Sequence, residues 1–177
     1  MKRQDIIKQR RQFKAEGFAT LTDVGMDGNW VTPIQKLSHS EDGPVIVAYY
    51  WWDAESVLRN REELRKFGYA PRLKFNKVID LAIGQVGITR KELYITQAFH
   101  LLPLNGTYIP QELIRRSFNL ITQYEIYGRN VIALGNRAQQ VCAYAQVDYI
   151  PCVHPDARGR TIVSLAAELA KALRKFY

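Results

Sequence analysis

The sequence predicts an α/β fold around a parallel sheet, because strand-like and helical segments alternate along most of the chain. Residues 45–49 form a continuous apolar run, as in a strand that is buried on both faces. Shorter strand-like runs follow at residues 93–96, 130–134 and 147–150. Helical segments separate these runs, which is the pattern of βαβ units.

Helices are predicted between and around these strands. They are expected at residues 2–16, 56–67, 72–86, 110–127, 137–145 and 161–175. Residues 18–44 are rich in turn formers and predict irregular structure. The chain shows no internal repeat. We therefore expect a single domain over residues 1–177, in which residues 1–44 are a helical and irregular lead-in.

Composition is compatible with a folded domain that binds a polyanion. A chain of 177 residues with 47% hydrophobic side chains is long and apolar enough to bury one core. Lys and Arg number 25 against 17 Asp and Glu, which leaves a net charge of +8. This surplus suits DNA as a partner, although charge alone leaves simple solubility as an equal explanation.

Cysteine usage and the apolar runs argue against several other classes of protein. Cys142 and Cys152 are the two cysteines, and neither stands in a CxxC pair, so we expect no metal and no iron–sulfur cluster. The charged start lacks a secretion signal, and the apolar runs are too short to span a bilayer. We therefore expect a cytoplasmic monomer with free thiols, no cofactor and no membrane partner.

The active site of a parallel α/β sheet lies beyond the carboxyl ends of its strands. That rule points first to residues 49–55, where four consecutive aromatic residues precede Asp53 and Glu55. Tyr50, Trp51 and Trp52 offer stacking surfaces for a base drawn out of a duplex. A carboxylate beside them can orient a water or stabilise the positive charge that grows on a sugar as its bond to a base breaks. The alternative, favoured in isolation, is that the aromatics cover the sheet end and the acids cap the next helix.

Residues 151–160 follow the last predicted strand and contain His154. A neutral histidine at this place can donate a hydrogen bond to the carbonyl oxygen of a departing base. Arg158 and Arg160 can bind DNA phosphates. The alternative is an ordinary surface loop, since a lone His-Pro pair is weak evidence.

Two further strand ends carry polar groups. Gln97 follows the second strand, and its amide can read a base edge, although it can equally satisfy local backbone. Phe99, two residues further on, is another candidate for base contact. Gly135, Asn136 and Arg137 stand at a strand–helix junction, where a helix N-terminus can bind phosphate, although packing alone would also favour the glycine.

In their order and spacing these segments resemble the uracil-DNA glycosylase superfamily over roughly residues 29–173. The run Val-Ile-Ala-Leu-Gly ending at Gly135, with Arg137-Ala138 after it, looks like that superfamily's LG-x-x-A motif. His154-Pro155 resembles its HPS or HPD signature, and residues 95–98 are similar to its ITNA motif, with Gln97 in place of the base-reading Asn. The lead-in at residues 29–35 also looks like the start of some bacterial members.

The resemblance implies a three-layer α/β/α sandwich around a central four-stranded parallel sheet. It implies base flipping and a neutral His154 that stabilises the departing base anion. It also implies small loops at residues 135–137 and 155–159 that compress the DNA backbone. Arg158 is then the candidate to fill the gap left in the base stack.

The front motif departs from the family pattern. Members carry a Gly-rich turn such as GQDPYH or GEAPG after the first strand, whereas this chain has Tyr49-Tyr50-Trp51-Trp52-Asp53. A tryptophan cannot polarise water, so we expect Asp53 to be the water-activating acid, with Glu55 in reserve. Gln97 is one methylene longer than Asn and would crowd an ordinary uracil.

Three functions follow as hypotheses. The first is a monofunctional glycosylase that excises a modified pyrimidine, such as glycosylated hydroxymethylcytosine of phage DNA in antiviral defence, with uracil or another deaminated base as runner-up. The second is a catalytically silent DNA-binding module on the same fold. The third is a small-molecule enzyme, which the absence of GxGxxG and GxxxxGK[ST] disfavours.

Overall fold

The computed structural model describes residues 1–177 and has a four-stranded parallel sheet at its centre. The sheet consists of β2 (Val45–Tyr50), β3 (Tyr94–Phe99), β5 (Val131–Leu134) and β6 (Ile150–Cys152), in the order β3-β2-β5-β6. All neighbouring strands run parallel. The predicted α/β class and sheet are therefore confirmed. The order of the strands reverses beside β2, and the carboxyl ends of strands at such a switch point form the usual binding crevice.

Helices cover one face of the sheet together with the N-terminal segment. They are α1 (Arg3–Gln12), α5 (Gln111–Ser117), α6 (Gln123–Ile126) and α7 (Gly135–Tyr144). Alternate residues of the central strands, such as Val45 and Val47, pack into this layer beside Ile7 and Phe118. Successive side chains of a strand point to opposite faces of the sheet, so only every second strand residue belongs to this cluster.

Two longer helices cover the opposite face. They are α4 (Lys74–Val86) and α8 (Ile162–Leu173). Ile46, Ile95 and Ile132 point into this layer and are almost fully buried with apolar residues of both helices. The two covered faces make the three-layer sandwich that the family resemblance implies.

A smaller apolar cluster lies beneath α2 (Ala54–Arg59) and α3 (Arg61–Phe67), which connect β2 to α4. Leu64 and Val57 are fully buried there. The lead-in packs against the same cluster through β1 (Phe18–Ala19), which pairs antiparallel with β4 (Leu102–Pro103). None of the helices in the molecule combines the length and apolar character that a membrane crossing requires.

Several predicted boundaries differ from the observed ones. The helix predicted at 56–67 is broken at Asn60 into α2 and α3, and the helix predicted at 2–16 already ends at Gln12. The helix predicted at 110–127 is interrupted by a π-helical turn over Phe118–Thr122. Sequence periodicity does not register such a turn, because it shifts the helix phase by only one residue.

Two strands are also placed differently. The second strand extends to Phe99 rather than ending at residue 96, so Gln97 lies inside β3 and not in a loop after it. The fourth strand is Ile150–Cys152 rather than 147–150 and runs through Pro151. The proline is tolerated because β6 is an edge strand of the sheet, where a missing N–H costs no ladder hydrogen bond.

Candidate active site

A cleft of about 1030 Å³ opens at the carboxyl ends of the strands. The segments that follow β2, β5 and β6 all contribute to its lining, as the switch-point rule predicts. Asp53 and His154 both line it. The two proposed catalytic side chains, which are about a hundred positions apart in sequence, are therefore brought to one cavity.

Asp53 is the N-cap residue of α2, and its carboxylate accepts a hydrogen bond from the backbone N–H of Ser56 at 2.8 Å. The capping role considered from the sequence is therefore real, and it holds the carboxylate in place at the cleft. Burial alone would raise the pKa of Asp53, but hydrogen bonds from Ser56 and from the backbone of Asp53, together with the charge of Arg59, outweigh burial and lower that pKa. The side chain is thus ionised at neutral pH. Glu55, the reserve acid, is exposed and does not line the cleft.

The aromatic residues before Asp53 form a wall of the cleft. Tyr50, Trp51 and Trp52 all line it, as does Tyr49. The rings of Trp51 and Trp52 are tilted against each other with centroids 6.3 Å apart, and those of Tyr49 and Tyr50 are edge-on at 5.0 Å. Trp51 and Trp52 also pack on the small cluster beneath α2, so they act both as core cover and as cleft surface.

His154 lies in the loop between β6 and α8, with its ring against that of Phe75 at 5.6 Å between centroids. The backbone N–H of Asp156 donates a hydrogen bond to Nδ1 of His154 at 3.1 Å. A neutral imidazole that accepts at Nδ1 carries its proton on Nε2. Burial lowers the pKa of His154, although the nearby Asp156 carboxylate opposes the shift. The ring is therefore a neutral donor through Nε2 at pH 7.

Gly135, the first residue of α7, makes room for this imidazole. Its φ angle is +78°, and a Cβ at this position would lie 2.9 Å from Cβ of His154. A larger residue would be strained in the backbone and would also push against the histidine. The need for a glycine at position 135 is thus explained by its close approach to His154.

Side chains from three helices hold the loop that carries His154. Lys74, at the start of α4, donates to the carbonyl oxygens of Ala157 and Arg160 at 2.8 and 2.9 Å. Glu168 of α8 accepts from the backbone N–H of Val153 at 2.8 Å. A third contact comes from α7, where Gln139 donates to the carbonyl oxygen of Cys152. The backbone of the loop that carries the imidazole is thus bound by side chains of three helices, which favours a preorganised donor.

Gln97 lines the cleft from β3 and is 3% exposed. Its Nε2 donates to Oγ1 of Thr32 at 2.5 Å, and its Oε1 has no hydrogen-bond partner within the protein. A buried unpaired oxygen is costly, so a ligand N–H that reached it would be bound favourably. The lead-in residue Thr32 thus orients the amide that was singled out for base reading.

Phe99 does not belong to the site, and its assignment to base binding was wrong. Its ring is fully buried in the core, in edge contact with Phe13 at 6.5 Å and Phe18 at 5.2 Å. The reason is that β3 continues to this residue and directs it into the face covered by α1. The side chain does not line the cleft.

The residues proposed for backbone contact fall into two groups. Gly135, Asn136 and Arg137 line the cleft at the start of α7, and Arg137 also donates to the side chain of Gln111. Arg158 is exposed on the loop after His154 and does not line the cleft, so its role in filling the base stack stays a prediction. Arg160 forms an ion pair with Glu168 at 3.1 Å, which occupies part of its guanidinium.

Several cleft residues were not found from the sequence. The α2–α4 side contributes Ser56, Asn60, Tyr69, Arg72, Phe75 and Asn76. They lie on helices or between them, whereas the rule used for the sequence considers only the residues that follow the strands. The one available signal was their closeness in sequence to Asp53. No group of three or more His, Cys, Asp or Glu side chains that could hold a metal ion is found in the molecule.

A buried polar network lies behind β3. The carboxyl group of Glu125 accepts hydrogen bonds from the Tyr94 hydroxyl at 2.6 Å, the Thr96 hydroxyl at 2.5 Å and the Gln35 amide at 2.8 Å. Burial raises the pKa of Glu125 to about 7 against the lowering effect of these donors. This network fixes β3 to the helix that carries the π-helical turn, and so supports the strand that holds Gln97.

Comparison with known proteins identifies a family for most of the chain. A family model described as the uracil DNA glycosylase superfamily matches residues 58–176, which include His154, Gly135 and the whole sheet apart from β2. No curated protein matches the chain. The matched region covers well over half of the sequence, and the four-stranded parallel sheet has the expected form. The chain therefore belongs to the uracil-DNA glycosylase superfamily.

Proposed function

We propose that this protein is a monofunctional DNA glycosylase that hydrolyses the N-glycosidic bond of a flipped, modified pyrimidine and leaves an abasic site. The observation that carries the proposal is that His154, whose Nδ1 accepts a backbone hydrogen bond, and the carboxylate residue Asp53 line the same cleft. These are the groups needed on the two sides of a breaking glycosidic bond. Membership of the superfamily supports a DNA glycosylase in general.

The reaction follows from the two groups. As the bond between C1′ and the ring nitrogen breaks, its electron pair leaves with the base, and the Nε2–H of His154 stabilises the negative charge on the base oxygen. Positive charge grows on the sugar and is stabilised by the Asp53 carboxylate, which also accepts a hydrogen bond from the attacking water. The water oxygen bonds to C1′, and its released proton balances the base anion. His154 and Asp53 thus act on opposite partners of the same bond.

A lyase activity is not part of the proposal. A Schiff base with the sugar would need a lysine amine at the cleft. None of the residues that line the cleft is a lysine, and the ammonium group of Lys74 is bound to two backbone carbonyl groups of the His154 loop. The product is therefore an abasic site rather than a cut strand.

The finer proposal concerns the substrate. A cleft of about 1030 Å³ is at the upper end of the range for small-molecule sites, about 300–1000 Å³, and is larger than a bare pyrimidine requires. The run of four aromatic residues provides flat faces of the kind that pack on sugar C–H groups. We propose glycosylated hydroxymethylcytosine, as found in phage DNA, which would give the enzyme a role in antiviral defence.

Two alternatives have specific support. Superfamily membership favours uracil or another deaminated base in ordinary repair. The capping role of Asp53, together with the lack of a Gly-rich turn after β2, favours a catalytically silent DNA-binding module. The cytoplasmic location and monomeric state expected from the sequence stay predictions.

The test is an excision assay on duplexes that each contain one modified or deaminated cytosine, followed by alkaline cleavage of abasic sites. The proposal expects alkali-labile product from a modified-cytosine duplex, and none without alkali. Binding measured in parallel at several salt concentrations identifies the silent module, which would bind every duplex and cut none. If no duplex yields an abasic site, the glycosylase proposal is wrong.

A further inference from the structure

We propose that the part of the cleft bounded by α2, α3 and the start of α4 is a subsite for a hydroxyl-rich substituent, such as a hexose, carried by the flipped pyrimidine. This inference rests on the proposed function, because it assigns a ligand to cleft residues other than Asp53 and His154, the two groups that act on the glycosidic bond. The subsite is defined by Trp52, Ser56, Asn60, Tyr69 and Arg72.

The subsite residues come from a different part of the chain than His154 and Gly135. His154 and Gly135 follow β6 and β5, whereas the subsite residues belong to the connection between β2 and α4. Asp53 stands at the junction, since it ends the segment after β2 and caps α2. A base held by the strand ends could therefore extend a bulky substituent towards this wall, which carries the polar side chains of Ser56, Asn60 and Arg72.

The aromatic members of the subsite keep unused polar groups. The Tyr69 ring is stacked on the guanidinium of Arg90 at 3.8 Å, but its hydroxyl makes no hydrogen bond within the protein. The Trp52 indole, which lines the same cleft, also has a polar N–H at its edge. A flat ring with a free polar edge is suited to a sugar, which presents C–H groups on its faces and hydroxyls on its rim.

Arg72, whose side chain is 56% exposed, has two neighbours that contact its guanidinium. Its Nε is paired with the carboxylate of Glu63 at 3.4 Å, and one terminal nitrogen donates to Oδ1 of Asn60. Asn60 is itself fixed, because its Nδ2 donates to the carbonyl oxygen of Ser56 at 2.7 Å. The second terminal nitrogen of Arg72 stays free to donate. A guanidinium that is already oriented loses little freedom when it binds a hydroxyl.

The charge beside Arg72 favours a hydroxyl over a phosphate as its ligand. The Glu63 carboxylate offsets the positive charge of Arg72, and Asp53 lines the same side of the cleft. Two carboxylates repel a phosphate, whereas a hydroxyl can donate to a carboxylate and accept from a guanidinium. Arg72 is therefore assigned to a neutral, hydroxyl-bearing group rather than to the DNA backbone.

The test compares three duplexes that carry glucosylated hydroxymethylcytosine, hydroxymethylcytosine or uracil at one position. The wild-type protein is expected to excise the glucosylated base with the highest kcat/KM. Arg72→Met is expected to lower that value about tenfold or more and to leave the affinity for the unglucosylated duplexes within about twofold. Tyr69→Phe keeps the ring on Arg90. We expect it to lower kcat/KM for the glucosylated duplex by a smaller factor than Arg72→Met does, and likewise to spare the unglucosylated duplexes.

The matched control is Arg65→Met, which removes the same charge from an exposed arginine of α3 that does not line the cleft. Equal losses on all three duplexes for Arg72→Met would assign the residue to phosphate and overturn the inference. Equal excision of glucosylated and unglucosylated bases by the wild type would overturn it while leaving the glycosylase proposal intact. Failure to excise any of the three would instead count against the proposed function.

Discussion

Cβ of His154 lies 2.9 Å from the place that a Cβ on Gly135 would occupy, so the two motifs of the back half of the sequence fit together as one structure. Gly135 begins α7 after β5, and His154 follows β6, the next strand of the sheet. A Cβ on the first would come too close to the second unless one of the two residues shifted.

Gly135→Ala is therefore expected to reduce excision as well as stability. The φ angle of +78° costs a residue with a Cβ about 1–2 kcal/mol, and the close contact with His154 adds to that cost. Gly128→Ala is the matched control, because Gly128 has a φ angle of +70° and no atom within 4 Å of the added Cβ. Thermal melting and kcat for both variants check the prediction. Equal activity of the two would show that the imidazole is not displaced.

His154→Ala is expected to slow base release with little change in folding. Loss of one preorganised donor to a developing anion costs about 2–4 kcal/mol of barrier. The measurement is single-turnover cleavage on the best duplex, with His39→Ala as the control, since His39 is exposed and lies away from the cleft. Near-normal turnover would remove His154 from the chemistry.

Asp53→Asn separates the catalytic role of Asp53 from its capping role. Asparagine caps a helix as well as aspartate does, so α2 and the melting temperature are expected to be preserved. Loss of the carboxylate is expected to lower kcat about a hundredfold or more, with DNA affinity unchanged. Asp53→Ala, which loses the cap too, provides the comparison. Wild-type rates in Asp53→Asn would leave this residue a cap alone and favour the silent-module alternative.

Arg158→Ala tests the exposed loop after His154. If Arg158 contacts phosphate, the variant binds DNA more weakly, and the slope of log Kd against log salt concentration falls by about 1. Arg174→Ala serves as the control, because Arg174 is exposed at the far end of α8 and donates to a backbone carbonyl there. An unchanged slope would place Arg158 outside the DNA interface.

The sequence predicted the parallel sheet and pointed to the strand-end segments that line the cleft, because strand-like runs and strand-end positions are local features. It misplaced Phe99, because a strand buried on both faces has no polar alternation to mark where it ends. It also missed Arg72 and Asn60. Their position in the cleft depends on how α2, α3 and α4 pack together, and no pattern along the chain records that packing.

The Glu125 network could not be predicted from the sequence either, because it too depends on how distant segments pack together. It leads to a prediction about stability. The partners of its carboxyl group, Tyr94, Thr96 and Gln35, come from two distant parts of the chain. Burial raises the pKa of Glu125 to about 7, whereas the unfolded chain has a value near 4.5. The folded state therefore holds this proton longer, and the resulting stability is lost as the pH rises from about 4.5 to about 7.

Glu125→Gln removes this titration while keeping a side chain of similar shape. Burial lowers the pKa of the neighbouring His100 to about 3. Because of this shift, the free energy of unfolding that depends on His100 rises with pH below pH 6.5, opposite to the trend from Glu125. The pH dependence of the wild type alone therefore does not reveal the effect of Glu125. The free energy of urea unfolding of the wild type minus that of the variant is the quantity to measure, because it isolates the titration of Glu125 together with its contact to His100 at 3.7 Å. We expect this difference to fall by on the order of 3 kcal/mol between pH 5 and pH 8. A difference that stayed constant would mean that the three donors keep Glu125 ionised throughout.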